Sequence, residues 1–347
     1  MLNDFVRDRV RDESSDIAKT VGIVKSMALD AGKLIANYFG RSRKLTTDGF
    51  HNLVAQIDQT VVAEIRPVRR KISVRMATAA RPKSDAHELF YLFVLPEERP
   101  GRSKMFRLAS LRVLATRKKV IIECTPTHFT IREHAASRFI ERGTDSARAI
   151  RFIASSLADW SLLPSIVDDV LVNSGNQKLA LPCRSAGMLM GYIDSNESIP
   201  EGIRYSFDKT LYFAEPIAAS PLAPLSYVVG TYIGPAEIRD NQIGAIYLLE
   251  EWRRSVGTVF EDQCEAVFWP VRDLVPATHE PLSEELRDQI CAEIITPRML
   301  RAMGNKSHAD FSRNYGHIFA FDDADPIDQL EDQLEFFDDV QHTTFGP

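Results

Sequence analysis

The chain has 347 residues, 44% of them hydrophobic and 26% charged, with a net charge of -6, which is a typical globular composition. This length is enough for two or three domains. The longest apolar run, Leu89–Leu95, is too short to span a bilayer, and Met1–Ser15 lacks the apolar stretch of a secretory signal. We therefore expect a cytoplasmic protein with no membrane partner. Its four cysteines are far apart, so the sequence indicates neither a zinc knuckle nor a disulfide framework.

Helical spacing of apolar residues predicts a first helix over Ile17–Phe39 and a second over Phe50–Ile65, which ends before Pro67. The periodicity then changes to short segments rich in branched and aromatic residues, separated by turn-prone stretches. This pattern predicts an antiparallel sheet. Its predicted strands are Ile72–Met76, Leu89–Leu95, Phe106–Leu114 and Val120–Cys124.

A short helix is predicted over Thr130–Gly143. Thr130 and Glu133 have the spacing of a capping box, and Gly143 supplies a left-handed stop. A further helix is predicted over Ser146–Trp160, with N-cap oxygens offered by the residues just before it.

After Pro164 the pattern again favours strands, followed by a connector at Pro216–Pro224. The predicted strands are Ile166–Val172, Lys178–Leu181, Met188–Ile193, Leu211–Phe213 and Leu225–Ile233. Helices are predicted beyond them over Ala236–Arg254, Asp262–Val267, Ser283–Ile294 and Pro297–Met303.

These elements predict an α+β fold, in which an antiparallel sheet has flanking helices, an N-terminal helical pair precedes it and a mostly helical C-terminal portion follows. We divide the chain into an N-terminal helical region (1–66), a central α+β domain (67–234), a helical C-terminal region (235–320) and an acidic tail (321–347).

Charge is distributed unevenly along the chain. Residues 66–151 contain 20 Lys and Arg against 8 Asp and Glu, whereas residues 321–347 contain 9 acidic residues and no Lys or Arg. The basic segment favours RNA or another polyanion as a partner, although scattered surface charge would give the same composition. The tail could compete with phosphates as an internal brake, bind a protein partner or act only as a solubilising end.

His134, Arg138, Glu141 and Arg142 share one side of the predicted helix at Thr130–Gly143. Histidine exchanges protons near neutral pH and arginine binds phosphate, so this face suits phosphodiester chemistry. A solvated face with ion pairs is the alternative interpretation. His128, just before this helix, is expected to be a loop residue rather than a second catalytic imidazole.

The segment His134–Gly143 reads H-A-A-S-R-F-I-E-R-G. It resembles the helix H-A-x-x-R-x-x-E-R-G of small ribonuclease toxins in the barnase, EndoU, colicin and RelE-like superfamily. The resemblance covers Thr127–Ile233, less than a third of the chain, and has no counterpart after Gly234. It implies metal-independent cleavage of RNA through attack by the 2′-hydroxyl, with no cofactor.

By this resemblance, His134 is the general base or acid and Arg138 holds the phosphate, with Arg142 as a second cation and Glu141 as a proton acceptor or a partner of an arginine. In the strands that follow, Arg184 is a further candidate cation, and Thr231 occupies the place of a hydroxyl residue near the scissile phosphate.

The sequence contains no nucleotide-cofactor motif, metal-protease motif or calcium loop. Together with the basic segment, the resemblance to ribonuclease toxins implies an RNA-binding, metal-independent endoribonuclease-like protein, with a toxin or mobile-element effector as its setting. The alternative is a non-catalytic interaction or assembly protein that binds a protein partner or nucleic acid through its basic region.

Overall fold

The computed structural model describes residues 2–41, 47–76, 85–97, 104–116, 119–142, 148–164, 178–184, 187–194, 199–207, 212–217 and 226–238, with residues 246, 249, 250, 253, 264, 267 and 268. Beyond residue 238 only these seven single positions are described. The helices predicted after Gly234 and the acidic tail therefore lie essentially outside the described residues, as does the strand predicted at Ile166–Val172.

Four α-helices lie in the described part of the chain: α1 (Leu2–Arg41), α2 (Thr47–Thr60), α3 (Glu133–Arg142) and α4 (Ala149–Trp160). A π-helical turn, Val61–Ile65, continues α2. The N-terminal helical pair is thus present, but α1 begins 15 residues before the predicted start at Ile17. The first turns of α1 are mostly charged and bury only a few apolar residues, such as Val6 and Val10. The hydrophobic periodicity of this stretch is therefore weak.

Within the described residues the sheet has nine strands, several of them longer than predicted. They are β1 (Arg69–Met76), β2 (Asp85–Glu97), β3 (Met105–Thr116), β4 (Val120–Arg132), β5 (Lys178–Pro182), β6 (Met188–Asp194), β7 (Gly202–Phe207), β8 (Tyr212–Ile217) and β9 (Ser226–Ile233). Strand β7 was not predicted from the sequence, although its apolar residues alternate with a charged and a polar one, which is the pattern of a half-buried strand.

The prediction of an antiparallel sheet is wrong, because the sheet is mixed. Its main strand order is β1-β2-β3-β4-β9-β6-β5, and β7 and β8 branch from β4. The first half of β4 pairs with β7 in antiparallel orientation, and its second half, Phe129–Ile131, pairs with β9 in parallel. A parallel pair needs a long crossover rather than a hairpin. Between β4 and β9 the described part of the chain runs through α3, α4 and four strands.

Helices cover both faces of the sheet. Alternate residues of β2 show this: Phe90 and Leu92 belong to a core shared with α3 and α4, whereas Tyr91 and Phe93 belong to a core shared with α2 and the π-helical turn. Helix α1 contributes Ile17 to the first core and its later turns to the second. Burial on both faces gives β2 its continuous apolar run. The division into four regions remains a prediction.

Candidate functional site on helix α3

Helix α3 begins three residues later than predicted, at Glu133. Thr130 does not cap it, because Thr130 belongs to β4, where it pairs with Arg107 on one side and Val228 on the other. Its side chain is fully buried, and its Oγ1 has no hydrogen-bond partner among the described residues. Pairing on both sides fixes extended backbone at this position and overrides the local capping signal. The end of the helix at Arg142 agrees with the prediction.

The apolar side of α3 fixes the orientation of the candidate residues. Ala135, Ala136 and Phe139 are completely buried, and the Phe139 ring lies 4.9 Å from that of Tyr232 and 5.0 Å from that of Phe152. The four candidate residues of α3 are consequently half-buried on the remaining surface of the helix.

His134 lies in a cationic environment. Burial lowers the pKa of its imidazole, and Arg138, Arg142 and Arg132 lower it further, whereas Glu141 opposes them. Because an ordinary histidine titrates near 6.5, a lowered value leaves His134 neutral at pH 7 and able to accept a proton.

Two ion pairs hold the arginines of α3. Arg138 Nη1 donates to Glu141 Oε2 over 2.8 Å, one turn along the helix. Arg142 Nη1 donates to the carbonyl oxygen of Tyr232 over 2.9 Å and pairs with Glu237 Oε2 at 3.0 Å. The backbone of α3 also passes close to Gly234. A Cβ atom added to Gly234 would lie 2.9 Å from the carbonyl oxygen of Arg142. The end of α3 is therefore anchored to the end of β9.

Two residues that sequence reasoning did not assign also belong to this site. Arg132 Nη2 donates to the Tyr192 hydroxyl over 2.6 Å, and its guanidinium lies 5.4 Å from the centre of the Tyr192 ring. Arg132 precedes the helix and is therefore absent from the helical-face pattern. Tyr192 carries no local signal, because only the pairing of β6 with β9 and of β9 with β4 brings it near.

Arg184 lies away from α3. It follows β5, and its side chain contacts the C-terminal end of α4. Its guanidinium forms two hydrogen bonds with Asp159, one of them 2.9 Å long. The Asp159 side chain is fully buried and also contacts Arg69 and Arg253. Among the described residues, no hydrogen bond or ion pair joins Arg184 to α3.

Thr231 is not directed towards α3 either. It is buried in β9 opposite Met190, beside an irregularity that leaves Gly230 without a paired residue. Its neighbour Tyr232 packs against Phe139, and successive side chains of a strand point to opposite faces. The structure therefore brings together His134, Arg138, Glu141 and Arg142, with Arg132 added, but not Arg184 or Thr231.

His128 is a buried residue of β4 and not a loop residue, which corrects the prediction. Its Nε2 has no hydrogen-bond partner within the described part of the chain, and its backbone oxygen accepts from Ser226 Oγ over 3.1 Å. Burial, followed by the Arg107 guanidinium, lowers its pKa to about 3. It is therefore a neutral core residue.

Among the described residues, no group of three or more His, Cys, Asp or Glu side chains is arranged to hold a metal ion. No helix in these parts of the chain is long and apolar enough to cross a membrane. Comparison with protein-family models, curated proteins and solved structures gives no match.

Proposed function

We propose that this protein binds RNA and cleaves it without a metal ion, with helix α3 carrying the catalytic residues. One observation supports this most directly: the imidazole of His134, with a pKa lowered by burial, lies in the field of Arg132, Arg138 and Arg142. A neutral base surrounded by guanidinium groups suits attack on a phosphodiester, which needs proton removal and stabilisation of phosphoryl charge together.

In the proposed reaction His134 takes the proton of a ribose 2′-hydroxyl, whose oxygen then bonds to the adjacent phosphorus. The bond from phosphorus to the 5′-oxygen breaks, and that oxygen receives a proton from the His134 imidazolium or from water. The products are a 2′,3′-cyclic phosphate and a free 5′-hydroxyl. Arg138 holds the phosphoryl oxygens, and its bond to Glu141 fixes the orientation of its guanidinium.

The decisive experiment compares wild type with His134→Ala on mixed RNA in EDTA. We expect loss of the base to slow cleavage by about 100-fold or more. His51→Ala, which removes an exposed histidine from α2, is the matched control and should cleave at the wild-type rate. A substrate with a single 2′-deoxyribose at the cleaved position should remain intact. Equal cleavage by wild type and His134→Ala would remove the catalytic proposal.

Arg138→Ala separates catalysis from binding. If the guanidinium stabilises the transition state, kcat should fall by about 100-fold while RNA affinity changes much less. The exposed Arg11, which pairs with Asp8 at 2.9 Å on α1, provides the control Arg11→Ala. Equal losses of affinity in both variants, with kcat unchanged, would assign Arg138 a purely electrostatic role.

A non-catalytic interaction protein is the second candidate. Three observations favour it: Arg138 and Arg142 are already paired with carboxylates, Arg184 is bound to Asp159, and Thr231 faces away from α3. This candidate predicts RNA or partner binding with no cleavage, and the same binding by wild type and His134→Ala. The proposed setting as a toxin or mobile-element effector depends on the catalytic candidate, since it rests on the resemblance to ribonuclease toxins.

A further inference from the structure

A groove of about 570 Å³ lies where the π-helical turn, the start of β1 and the start of α4 meet. Four arginines line it: Arg66, Arg70, Arg148 and Arg151. The first two open the basic segment 66–151 and the last two close it, so folding brings both ends of that segment to one place. The apolar side chains of Val62, Val68 and Phe152 form part of the wall.

Carboxylates beside the groove accept hydrogen bonds from only some of the N–H donors of its arginines. Asp16 of α1 accepts from Arg66 Nη1 over 3.4 Å and from Arg151 Nη1 over 3.0 Å, and Asp58 contacts Arg70. A guanidinium carries five N–H donors, so one such contact leaves others directed elsewhere. The side chains of Arg66 and Arg70 are 50% and 43% exposed. Donors in the groove are therefore within reach of a ligand from solvent.

The backbone at Arg66 is a second, independent observation. Arg66 follows the π-helical turn with φ 52° and ψ 67°, the left-handed conformation in which glycine is favoured. It is the one residue other than glycine with a positive φ among those the structure describes. Strained backbone and π-helical turns recur at ligand sites. Arg66 therefore places a guanidinium group at a backbone position that is unfavourable for any residue except glycine.

We propose that this groove binds the phosphate groups of a nucleotide-sized ligand, with the arginines on the phosphates and the apolar wall against the sugar or base. Guanidinium groups bind phosphate oxygens in pairs of parallel hydrogen bonds. None of these residues belongs to the α3 site, so the inference does not depend on ribonuclease activity. The phosphate could be carried by a free nucleotide or by the 5′ end of an RNA strand.

Calorimetric titration of the full chain tests this with four probes: ADP, adenosine, and one short oligoribonucleotide with and without a 5′-phosphate. We expect one ADP per chain and no binding of adenosine. Tight binding of ADP identifies a free nucleotide as the source. Binding of the 5′-phosphorylated oligonucleotide, with ADP much weaker, identifies the RNA end. Absence of phosphate-dependent binding by both would overturn the proposal.

Arg66→Gly is the informative variant, because glycine suits the left-handed backbone. We expect it to weaken phosphate binding about tenfold or more while its melting temperature stays equal or rises. If Arg66 has only a structural role, Arg66→Gly will change the melting temperature and leave phosphate binding intact. That result would overturn the proposal. Arg11→Ala, a matched loss of an exposed charge on α1, should bind as wild type does, and an equal loss there would also overturn it.

Arg148→Ala provides a second test that does not alter this backbone. The exposed Arg148 lines the same groove from the start of α4, and we expect the same tenfold loss of affinity. His134→Ala should bind ADP normally, which separates this groove from the α3 site.

Discussion

His128 and His134 lie six residues apart, yet their surroundings give them different properties. His134, on the surface side of α3, is half-buried among three arginines. His128 is buried in β4, with its ring 3.9 Å from that of Phe129 and its pKa lowered to about 3. Both imidazoles are neutral at pH 7, but only His134 is partly exposed as a residue, and its Nε2 atom is itself buried. Burial of the whole ring therefore removes His128 as a catalytic candidate.

The low pKa of His128 predicts acid sensitivity. The unfolded chain binds a proton at this histidine below about pH 6.5, whereas the folded chain does so only near 3, so the free energy of unfolding falls as pH drops through this window. The full contribution is about 5 kcal/mol. His128→Gln should be less stable at pH 7 but lose less stability on acidification, as measured by urea unfolding at pH 7 and pH 4.5. His51→Gln is the control, and equal pH dependence in all three proteins would contradict the prediction.

Two glycines provide a matched test of packing. A Cβ on Gly191 of β6 would lie 2.4 Å from the Tyr227 ring and 2.7 Å from the Val228 oxygen, whereas one on Gly22 of α1 would meet nothing within 4 Å. Gly191→Ala should cost about 1–3 kcal/mol through overpacking. Gly22→Ala should gain about 0.5–1 kcal/mol, because alanine favours helix. Thermal unfolding measures both, and changes of the same sign would show that the close approach at Gly191 can relax.

Helix α4 begins with a cap from another element. The residue before it, Arg148, makes no side-chain capping hydrogen bond. Instead Glu13 of α1 accepts hydrogen bonds from the backbone N–H groups of Ile150 at 2.9 Å and Arg151 at 3.0 Å. Burial raises the pKa of Glu13, and these two N–H groups and the nearby arginines oppose it. The predicted start at Ser146 lies outside the described residues, and a cap 137 residues away in sequence has no local signal.

Removing this cap should uncouple α1 from α4. Glu13→Ala loses two charge-assisted hydrogen bonds and should cost about 2–3 kcal/mol, whereas Glu13→Gln keeps one acceptor and should cost less. Asp12→Ala, at the exposed neighbouring position, should change stability by under about 0.5 kcal/mol. Denaturant unfolding measures all three, and hydrogen exchange at Ile150 and Arg151 should quicken in Glu13→Ala. Unchanged exchange would show that water replaces the cap without cost.

An alternating row of charges crosses the sheet from β2 to β8. Arg112 Nε donates to Glu88 over 2.5 Å and Arg112 Nη1 to Glu123 over 3.0 Å. Arg204 then donates to Glu123 over 2.6 Å and to Glu215 over 3.1 Å. Arg112, Glu123, Arg204 and Glu215 face one another directly in the strand register. The row joins the branch formed by β7 and β8 to the main sheet.

Breaking this row at its buried centre should destabilise the whole molecule. Arg112→Met removes the guanidinium from two buried carboxylates and should cost about 3–5 kcal/mol. Adding Glu88→Gln should recover part of that loss, because one buried charge is removed with it. Arg11→Met, at an exposed ion pair, should change stability by less than about 1 kcal/mol. An Arg112→Met protein as stable as the Arg11→Met control would contradict this role.

Local patterning was sufficient to predict α2, the order of β1 to β4 and the end of α3, since hydrophobic periodicity and turn residues are properties of neighbouring positions. It was also sufficient to find the basic segment and the His134, Arg138, Glu141 and Arg142 face. The mixed sheet was not predictable in this way, because the β4 to β9 pairing joins strands separated by two helices and four other strands.

Long-range contacts determined what the α3 face meets and which further candidates lie away from it. The bond from Arg142 to the Tyr232 oxygen spans 90 residues and that from Arg132 to Tyr192 spans 60, whereas Arg184 is drawn to Asp159 instead. The arginine groove forms in the same way, from the two ends of the basic segment. Spacing along the chain specifies the face of a helix or strand, but the packing of elements against one another decides what that face meets.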